Sequence, residues 1–434
     1  MIRLRAVPRF AELRLLVVVA ALLVLGYVAV VASAVASFSA TPVVVPITFI
    51  GLALALHLFL VVRGTRGDQL LLPLALALTA IGLIEVQRLA PERLALQQLT
   101  WCAIAGAAFV VAMLFPRDLS VLSRYKYTWA LAGVALLISP LLPGIGREIN
   151  GARIWIGVGN LFQFQPSEAV KILLVVFFAA YLDEHREMIR SSPRRFGPMP
   201  VPPLPYLLPI LLMWGIAMIV MVFEKDLGAT LLFFGIFLAM LYVATGEGFY
   251  TILGAAMLIA GGVLAYQAFG HVQARVDTWL APFDEELRFG PSFQLVQGLF
   301  AFANGGLLGA GLGNGMPERI PIVWSDFVFA AFTEETGFVG GLALLALYLV
   351  FVFRGMLIAL RAPTTFLQLL AAGLAFIVAF QTLVIVGGNA KLIPLTGVTL
   401  PFVSYGGSSL VTNFLLTALL IRVSDITARV RGGP

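Results

Sequence analysis

Charge is scarce in this sequence. Only 12% of its 434 residues are Asp, Glu, Lys or Arg. A soluble chain needs roughly 25% to cover its surface, so lipid must be the solvent for much of the molecule. One cysteine, Cys102, excludes an intrachain disulfide, and its place in an apolar run reads as a buried, inert thiol. The three histidines, His57, His185 and His271, are far apart in sequence with no Cys or carboxylate at ligand spacing, which argues against a structural zinc site. There is no Walker-type phosphate loop, since Gly311-Leu312-Gly313-Asn314-Gly315 lacks the following Gly-Lys-Ser/Thr. Ser404-Tyr405-Gly406 lacks the strand and His partner of a nucleophile elbow. Internal repeats and inverted pairs of half-length segments are also missing, which argues against a carrier.

What the chain does have is apolar length. Sixty per cent of it is hydrophobic and the mean hydropathy is +1.00. Polar breaks cut it into twelve apolar segments, at 15–31, 43–62, 70–84, 99–115, 127–142, 166–182, 204–223, 227–243, 249–269, 327–353, 366–386 and 408–423. Most approach the roughly 20 residues that cross a hydrocarbon core. The expected fold is all-α, a polytopic helical bundle of about 12 transmembrane helices forming a single transmembrane domain over residues 1–434, with one large loop, 270–330, between the ninth and tenth. The stretch 183–203, with its Arg pairs and Pro198, Pro200, Pro202 and Pro203, reads as a stiff linker between bundle halves. The basic start followed by Ala32-Ser33-Ala34 resembles a signal peptide, but removing one span would invert the charge bias of the others.

The net charge of +6 does not indicate nucleic acid, because the basic residues gather on no single polar face. They sit between apolar segments. Placing the N-terminus in the cytoplasm puts Arg3, Arg63, Arg124, Arg194, Arg361 and Arg429 among the many cations on that side. The other side keeps about half as many, including Arg88, Arg153, Lys225, Arg275 and Lys391. This bias predicts cytoplasmic termini and an extracytoplasmic loop.

Ionisable groups at membrane depth are costly and demand a reason. Glu168 opens the sixth segment after Pro166, and Lys171 follows by three residues, so the two share a helix face; they form either a helix-locking ion pair or part of a site. Asp226, after Glu224-Lys225, either caps the eighth segment or contributes chemistry. Arg153 and Trp155 fit an interfacial anchor, and Arg153 fits phosphate equally well. The last outer loop holds Lys391, Thr396, Ser404, Tyr405 and Ser408 among glycines and prolines, an irregular backbone tolerated only when buried in protein or lining a wet cavity. The sharpest candidate is Asp326, at the mouth of the tenth segment. It is a helix cap or an acid poised at the membrane surface. Glu334 and Glu335 would lie roughly 12–14 Å deeper, where they suit support of the fold.

Taken in order, these strings resemble the signature set of the SEDS family (shape, elongation, division and sporulation). They are Asn150-Gly151-Ala152-Arg153-Ile154-Trp155, Gln165-Pro166-Ser167-Glu168 with Lys171, Asp226-Leu227-Gly228, Gln294-Leu295-Val296-Gln297 with Gly305-Gly306, Ser325-Asp326-Phe327 with Glu334-Glu335, and Pro394 through Ser409. The resemblance spans 150–410 within a core of 150–424 and leaves 1–149 as N-terminal helices with an extra pair before the usual ten. It departs at Trp324-Ser325, where the family has His-Thr, at Thr336 after the glutamates, and at Thr399. Glu224-Lys225-Asp226-Leu227-Gly228 and the short tails look more like the elongation (RodA-type) branch than the division branch.

The resemblance implies a peptidoglycan glycosyltransferase of the bacterial cytoplasmic membrane, working at its outer face on lipid II. Asp326 would be the catalytic base, with Glu168 and Lys171 matching the family's charged pair. The implied partners are lipid II, membrane lipids and a class B penicillin-binding protein transpeptidase, with no nucleic acid. No cofactor is required by the residues, although a divalent cation, Mg or Mn, would suit the pyrophosphate. The competing readings are a lipid II flippase, which would need polar groups across the whole bundle, and a non-catalytic scaffold, in which Asp326 is only a cap.

Overall fold

Long runs of Leu, Val, Ala and Phe in hydrocarbon have to satisfy their own backbone, which leaves the helix as the spanning element. The computed structural model describes residues 8–33, 41–90, 92–115, 118–149, 152–158, 162–190, 195–196, 199–200, 208, 211–212, 214–215, 218–219 and 223–431. Fourteen helices can be followed there: α1 (Phe10–Ser33), α2 (Thr41–Val62), α3 (Leu71–Leu89), α4 (Glu92–Leu114), α5 (Ser120–Arg124), α6 (Lys126–Ile138), α7 (Pro166–Arg190), α8 (Leu227–Thr245), α9 (Gly248–Ala268), α10 (Gly270–Leu280), α11 (Phe293–Gly305), α12 (Val328–Arg361), α13 (Thr365–Asn389) and α14 (Gly407–Arg431). Among the described residues nine of them are long and apolar enough to cross a membrane. The chain is therefore a polytopic helical membrane protein. Eleven of the twelve expected segments coincide with a helix; the other, 204–223, lies largely outside the described residues, as do Asn150, Gly151 and most of 191–203.

Three expectations need adjusting. The stretch 270–330 is not a structureless loop, because α10, α11 and a 3-10 turn at Pro317–Arg319 occupy much of it. The supposed linker begins as helix, with α7 continuing through Arg190. The segment around Arg153 is an antiparallel meander of β1 (Gly146–Ile149), β2 (Ala152–Val158) and β3 (Phe162–Phe164), with Arg147 opposite Trp155 and Ile156 opposite Phe164. A further two-residue pair joins Arg195–Phe196 to Met199–Pro200.

The chain divides into two compact units. One comprises Met1–Leu114, Ala274–Arg354 and Gln381–Pro434. Here α1 lays Leu16, Val19, Leu23, Tyr27 and Val30 against the protein, a stripe at three- and four-residue steps. Gly26 leaves room for Ile84 of α3, and Gly407 for the Trp101 ring of α4. At one end the bend 63–70 is a joint. Buried Arg9 pairs with Glu12 and donates to the carbonyls of Thr65 (3.1 Å), Gly67 (3.0 Å) and Asp68 (2.7 Å). Glu12 also meets His57 Nδ1 at 2.6 Å. Asp425 accepts from the Arg66 N–H (2.6 Å), Arg429 donates to the Gly64 carbonyl (3.0 Å), and Arg354 is ion-paired with Asp68.

The other unit comprises Phe115–Gln273 and Gly355–Phe380. In it α6 packs on α7, whose Phe177, Phe178 and Tyr181 are buried. Phe178 meets Phe237 of α8 with ring centroids 5.8 Å apart. Gly235 makes room for Phe380 and Gly373 for Met240.

Candidate functional site

Asp326 lies in the turn between Ile320 and α12. Phe327 anchors it by burying its ring against Gly298 of α11, where a Cβ would collide with that ring. Gln294 is four residues earlier on α11, hence on the same face. Its amide nitrogen donates to the Pro321 carbonyl (2.8 Å) and, at 3.4 Å, to Asp326 Oδ1. Leu295, Ala301, Ile320, Val323, Phe327 and Ala330 form the apolar floor, with Trp324 and Leu395 packed on it.

The segment after α13 holds the turn from another direction. The Tyr405 N–H donates to the Trp324 carbonyl (2.8 Å), Ser404 Oγ to that of Ser325 (2.5 Å), and Asn389 Nδ2 to that of Asp326 (2.8 Å). Three successive carbonyls are thus taken by the 389–405 segment. Ser404 Oγ also accepts from the Leu400 N–H at 2.8 Å. Helix α10 ties into the same segment, Arg275 donating to the Leu395 carbonyl and Trp279 to that of Lys391, both at 3.0 Å. Lys391 and Phe402 take left-handed backbone, φ 59° and 67°, the kind of strained geometry that surrounding contacts must over-determine. Thr396 is half-buried, Ser408 is buried in the first turn of α14, and the half-buried Tyr405 phenol is pushed up by burial.

The carboxylate of Asp326 takes no hydrogen bond from the N–H groups of Val328 or Phe329 among the described residues, so it does not cap α12. It is half-buried. Burial pushes it up from the ordinary 3.8 to about 6, while its own backbone N–H, the Arg275 charge and the Gln294 amide pull it partly back. A carboxyl in this range is still mostly ionised at neutral pH, and it is a stronger base than an exposed one.

Glu334 and Glu335 sit farther along α12 and serve the glycine-rich segment 305–316. Glu335 accepts from the Gly313 N–H (2.9 Å) and pairs with Arg88 (3.1 Å), while Glu334 accepts from Asn304 Nδ2 and the Met316 N–H, both 3.3 Å. Two residues on, the helix breaks at Gly337, φ 74° and ψ −176°, a region open only to glycine. The broken ladder is completed by the loop. Ala310 and Gly311 donate to the carbonyls of Glu334 and Glu335, and Phe338 and Val339 donate to those of Gly306 and Leu307. Both glutamates are therefore wrapped by the 305–316 segment, which follows them along the helix.

The remaining expected residues belong to the second unit. Glu168 and Lys171 pair at 2.6 Å and both are buried. Asp226 caps α8 by accepting from the Ala229 N–H (2.9 Å) and also meets Gln165 Nε2 at 3.2 Å. Lys225 is exposed in a left-handed turn, φ 60°. Arg153 and Trp155 share one face of β2, and Arg153 donates to the Leu142 carbonyl at 3.3 Å.

Gln294, Asn389 and Arg275 around Asp326, and Arg88 at Glu335, are the residues that sequence reasoning left out of the site. Asn389 and Arg275 carried a signal, being polar at the edges of apolar runs. Among the described residues no three His, Cys, Asp or Glu converge as a metal site. Asp326 alone offers a carboxylate here, a donor set that fits a cation carried in by phosphate and water rather than one caged by protein.

Comparison with known proteins agrees with this architecture. A family model described as "Cell cycle protein", covering FtsW, RodA and SpoVE, matches residues 69–429. The peptidoglycan glycosyltransferase RodA of Mycobacterium tuberculosis is 43% identical over 82% of this chain and 78% of its own. The probable peptidoglycan glycosyltransferase FtsW of Pseudomonas fluorescens is 35% identical over 83% of this chain and 88% of its own. A solved structure of a peptidoglycan synthase complex, described as coordinating polymerization and crosslinking, superposes with a TM-score of 0.69 at 26% identity, over 84% of this chain and 99% of that one.

Proposed function

The chain belongs to the FtsW, RodA and SpoVE family of cell cycle proteins, and from that premise we propose that it polymerises lipid II at the outer face of the bacterial cytoplasmic membrane, with both termini in the cytoplasm and Asp326 as general base. Glycosyltransferase activity on peptidoglycan follows from the identity with named enzymes over four-fifths of the chain. The single observation that carries the role of Asp326 is its setting: a half-buried carboxylate pushed up to about 6 on a turn held from two sides.

In the reaction, the 4-hydroxyl of the acceptor GlcNAc attacks C1 of the donor MurNAc. The C1–O4 bond forms, the C1–O bond to pyrophosphate breaks with inversion, and the hydroxyl proton passes to Asp326. A sugar hydroxyl needs such a base within hydrogen-bond reach, and one carboxylate suffices for inversion. Pyrophosphate leaves as an anion, so its requirement is positive charge. Arg275, whose charge already acts on Asp326, and Lys391, whose carbonyl is tied to the same helix by Trp279, are the candidates in the unit that holds Asp326. A magnesium or manganese ion arriving with the pyrophosphate would add charge at the same place.

An elongation role and a class B penicillin-binding protein partner complete the reading. The decisive assay follows glycan made from labelled lipid II by purified wild type and Asp326→Asn, each with and without that partner. The expected loss is about 10²- to 10⁴-fold, the usual contribution of a general base. Equal glycan from a folded Asp326→Asn would remove the role, and none from partnered wild type would favour a flippase or scaffold.

A further inference from the structure

Two hollows lie in line along the seam between α1 and α2, outside the chemistry described above. The larger, about 470 Å³, opens between Val24, Val28 and Val31 of α1 and Val43 and Ile47 of α2. The smaller, about 180 Å³, lies between Leu13, Val17 and Ala20 of α1 and Ile50 and Leu54 of α2. On both helices these positions recur at three- and four-residue steps, the spacing of one face, so the hollows are parts of a single furrow. The neighbouring stripe of α1, about 100° round the helix, is the one buried against the protein, and its Leu16, Val19 and Tyr27 form the inner wall of the hollows. Among the described lining residues Tyr27 alone carries a polar group, and it turns its hydroxyl away to the Leu83 carbonyl at 3.2 Å.

The furrow widens toward the end where α1 stops at Ser33. Gly313 abuts that end so closely that a Cβ would collide with Ser33 Oγ. Gly313 is held by Glu335 in the segment that runs on to Asp326, so the wide mouth and the aspartate turn are linked by a short stretch of chain. From Leu13 to Val31 the α1 stripe rises roughly 27 Å, nearly the whole hydrocarbon thickness of about 30 Å. A phospholipid acyl chain reaches through one leaflet only. Helices that pair in membranes use small residues in close approach or polar groups as glue, and this furrow is mostly branched aliphatic side chains and tapers along its length. A long, thin apolar chain with its head at the wide end fits both facts.

We propose that the α1–α2 furrow docks the polyprenyl tail of the lipid-linked donor, its head group emerging beside Gly313. The identity of the chain rests on the glycosyltransferase reading; the shape and length of the furrow do not.

The test uses the full-length protein in nanodiscs with two photoreactive probes, a diazirine-bearing polyprenyl pyrophosphate and a diazirine-bearing phosphatidylglycerol. The polyprenyl probe is expected to label residues 13–31 and 43–54, with competition by undecaprenyl pyrophosphate and none by excess phosphatidylglycerol. Val28→Trp and Ile47→Trp fill the furrow from exposed positions and are expected to cut labelling about tenfold. They should lower kcat/KM for undecaprenyl-linked lipid II, relative to a short-chain analogue, by a similar factor. Equal labelling by phosphatidylglycerol, no label on either helix, full labelling of both folded Trp variants, or a partner's transmembrane helix cross-linked to the same stripe would each overturn the proposal. Labelling needs no catalysis, so the outcomes separate. A labelled furrow in a protein that makes no glycan sinks the enzyme reading, and an active protein without label sinks the furrow alone.

Discussion

Asp326 sits in a turn whose carbonyls at 324, 325 and 326 are each claimed by another segment, so the backbone is fixed while the carboxylate meets its own backbone N–H, the Arg275 charge and, at 3.4 Å, the Gln294 amide. That division suits a group that must gain and lose a proton without its support moving. Because burial pushes Asp326 up to about 6, the base is charged above that pH and neutral below it. Activity should therefore rise through pH 6 and be lost on the acid side, as a kcat/KM profile would show. Arg275 favours the charged form, so Arg275→Gln should move the acid limb to higher pH; a limb that stays in place would remove Arg275 from the field at Asp326. These residues left traces in the sequence, but their contacts with Asp326 did not. Gln294 and Asn389 lie 32 and 63 residues from Asp326, and no periodicity connects them. The Glu168–Lys171 pair and the Asp226 cap were legible because their contacts span three residues, a distance helix geometry fixes by itself.

At the scale of elements, long apolar periodicity identified the spanning helices, and it failed where tertiary partners decide. The alternation Ile154-Trp155-Ile156 with Val158 carried a strand signal, but a Trp beside Arg at a membrane edge reads as readily as an anchor. The break in α12 could not be foreseen from Gly337, one glycine among 42 in the chain. It exists because residues 306–311 supply and accept the hydrogen bonds that the helix gives up. Gly337→Ala would force a Cβ against Gly309 and Leu307 at positive φ. The expected cost is about 1–3 kcal/mol, seen as a lower thermal midpoint in detergent together with faster proteolysis of the 305–316 segment. An unchanged midpoint would mean that the break is not required for stability.

At the scale of the whole molecule, the family match begins at residue 69, and the pair α1 and α2 precedes it. What fastens that pair is the joint at 63–70. Arg9→Met would leave the fully buried Glu12 with His57 Nδ1 as its remaining partner among the described residues, so the cost should fall below the roughly 3–5 kcal/mol of a buried charge left wholly unpaired. The first measurable step should be release of α1, read as new protease sensitivity within residues 10–33; a variant as resistant as wild type would show that apolar packing alone seats the helix. The joint also has a historical consequence. Arg9 and Arg429 grip it through the carbonyl oxygens of residues 64, 65, 67 and 68, atoms that every amino acid possesses. Substitutions that keep the bend, and that spare Gly67 beside the Ile421 carbonyl and Asp68 paired with Arg354, can therefore accumulate there without loosening the grip, and two descendants could share this fastening while resembling each other little along the stretch that forms it.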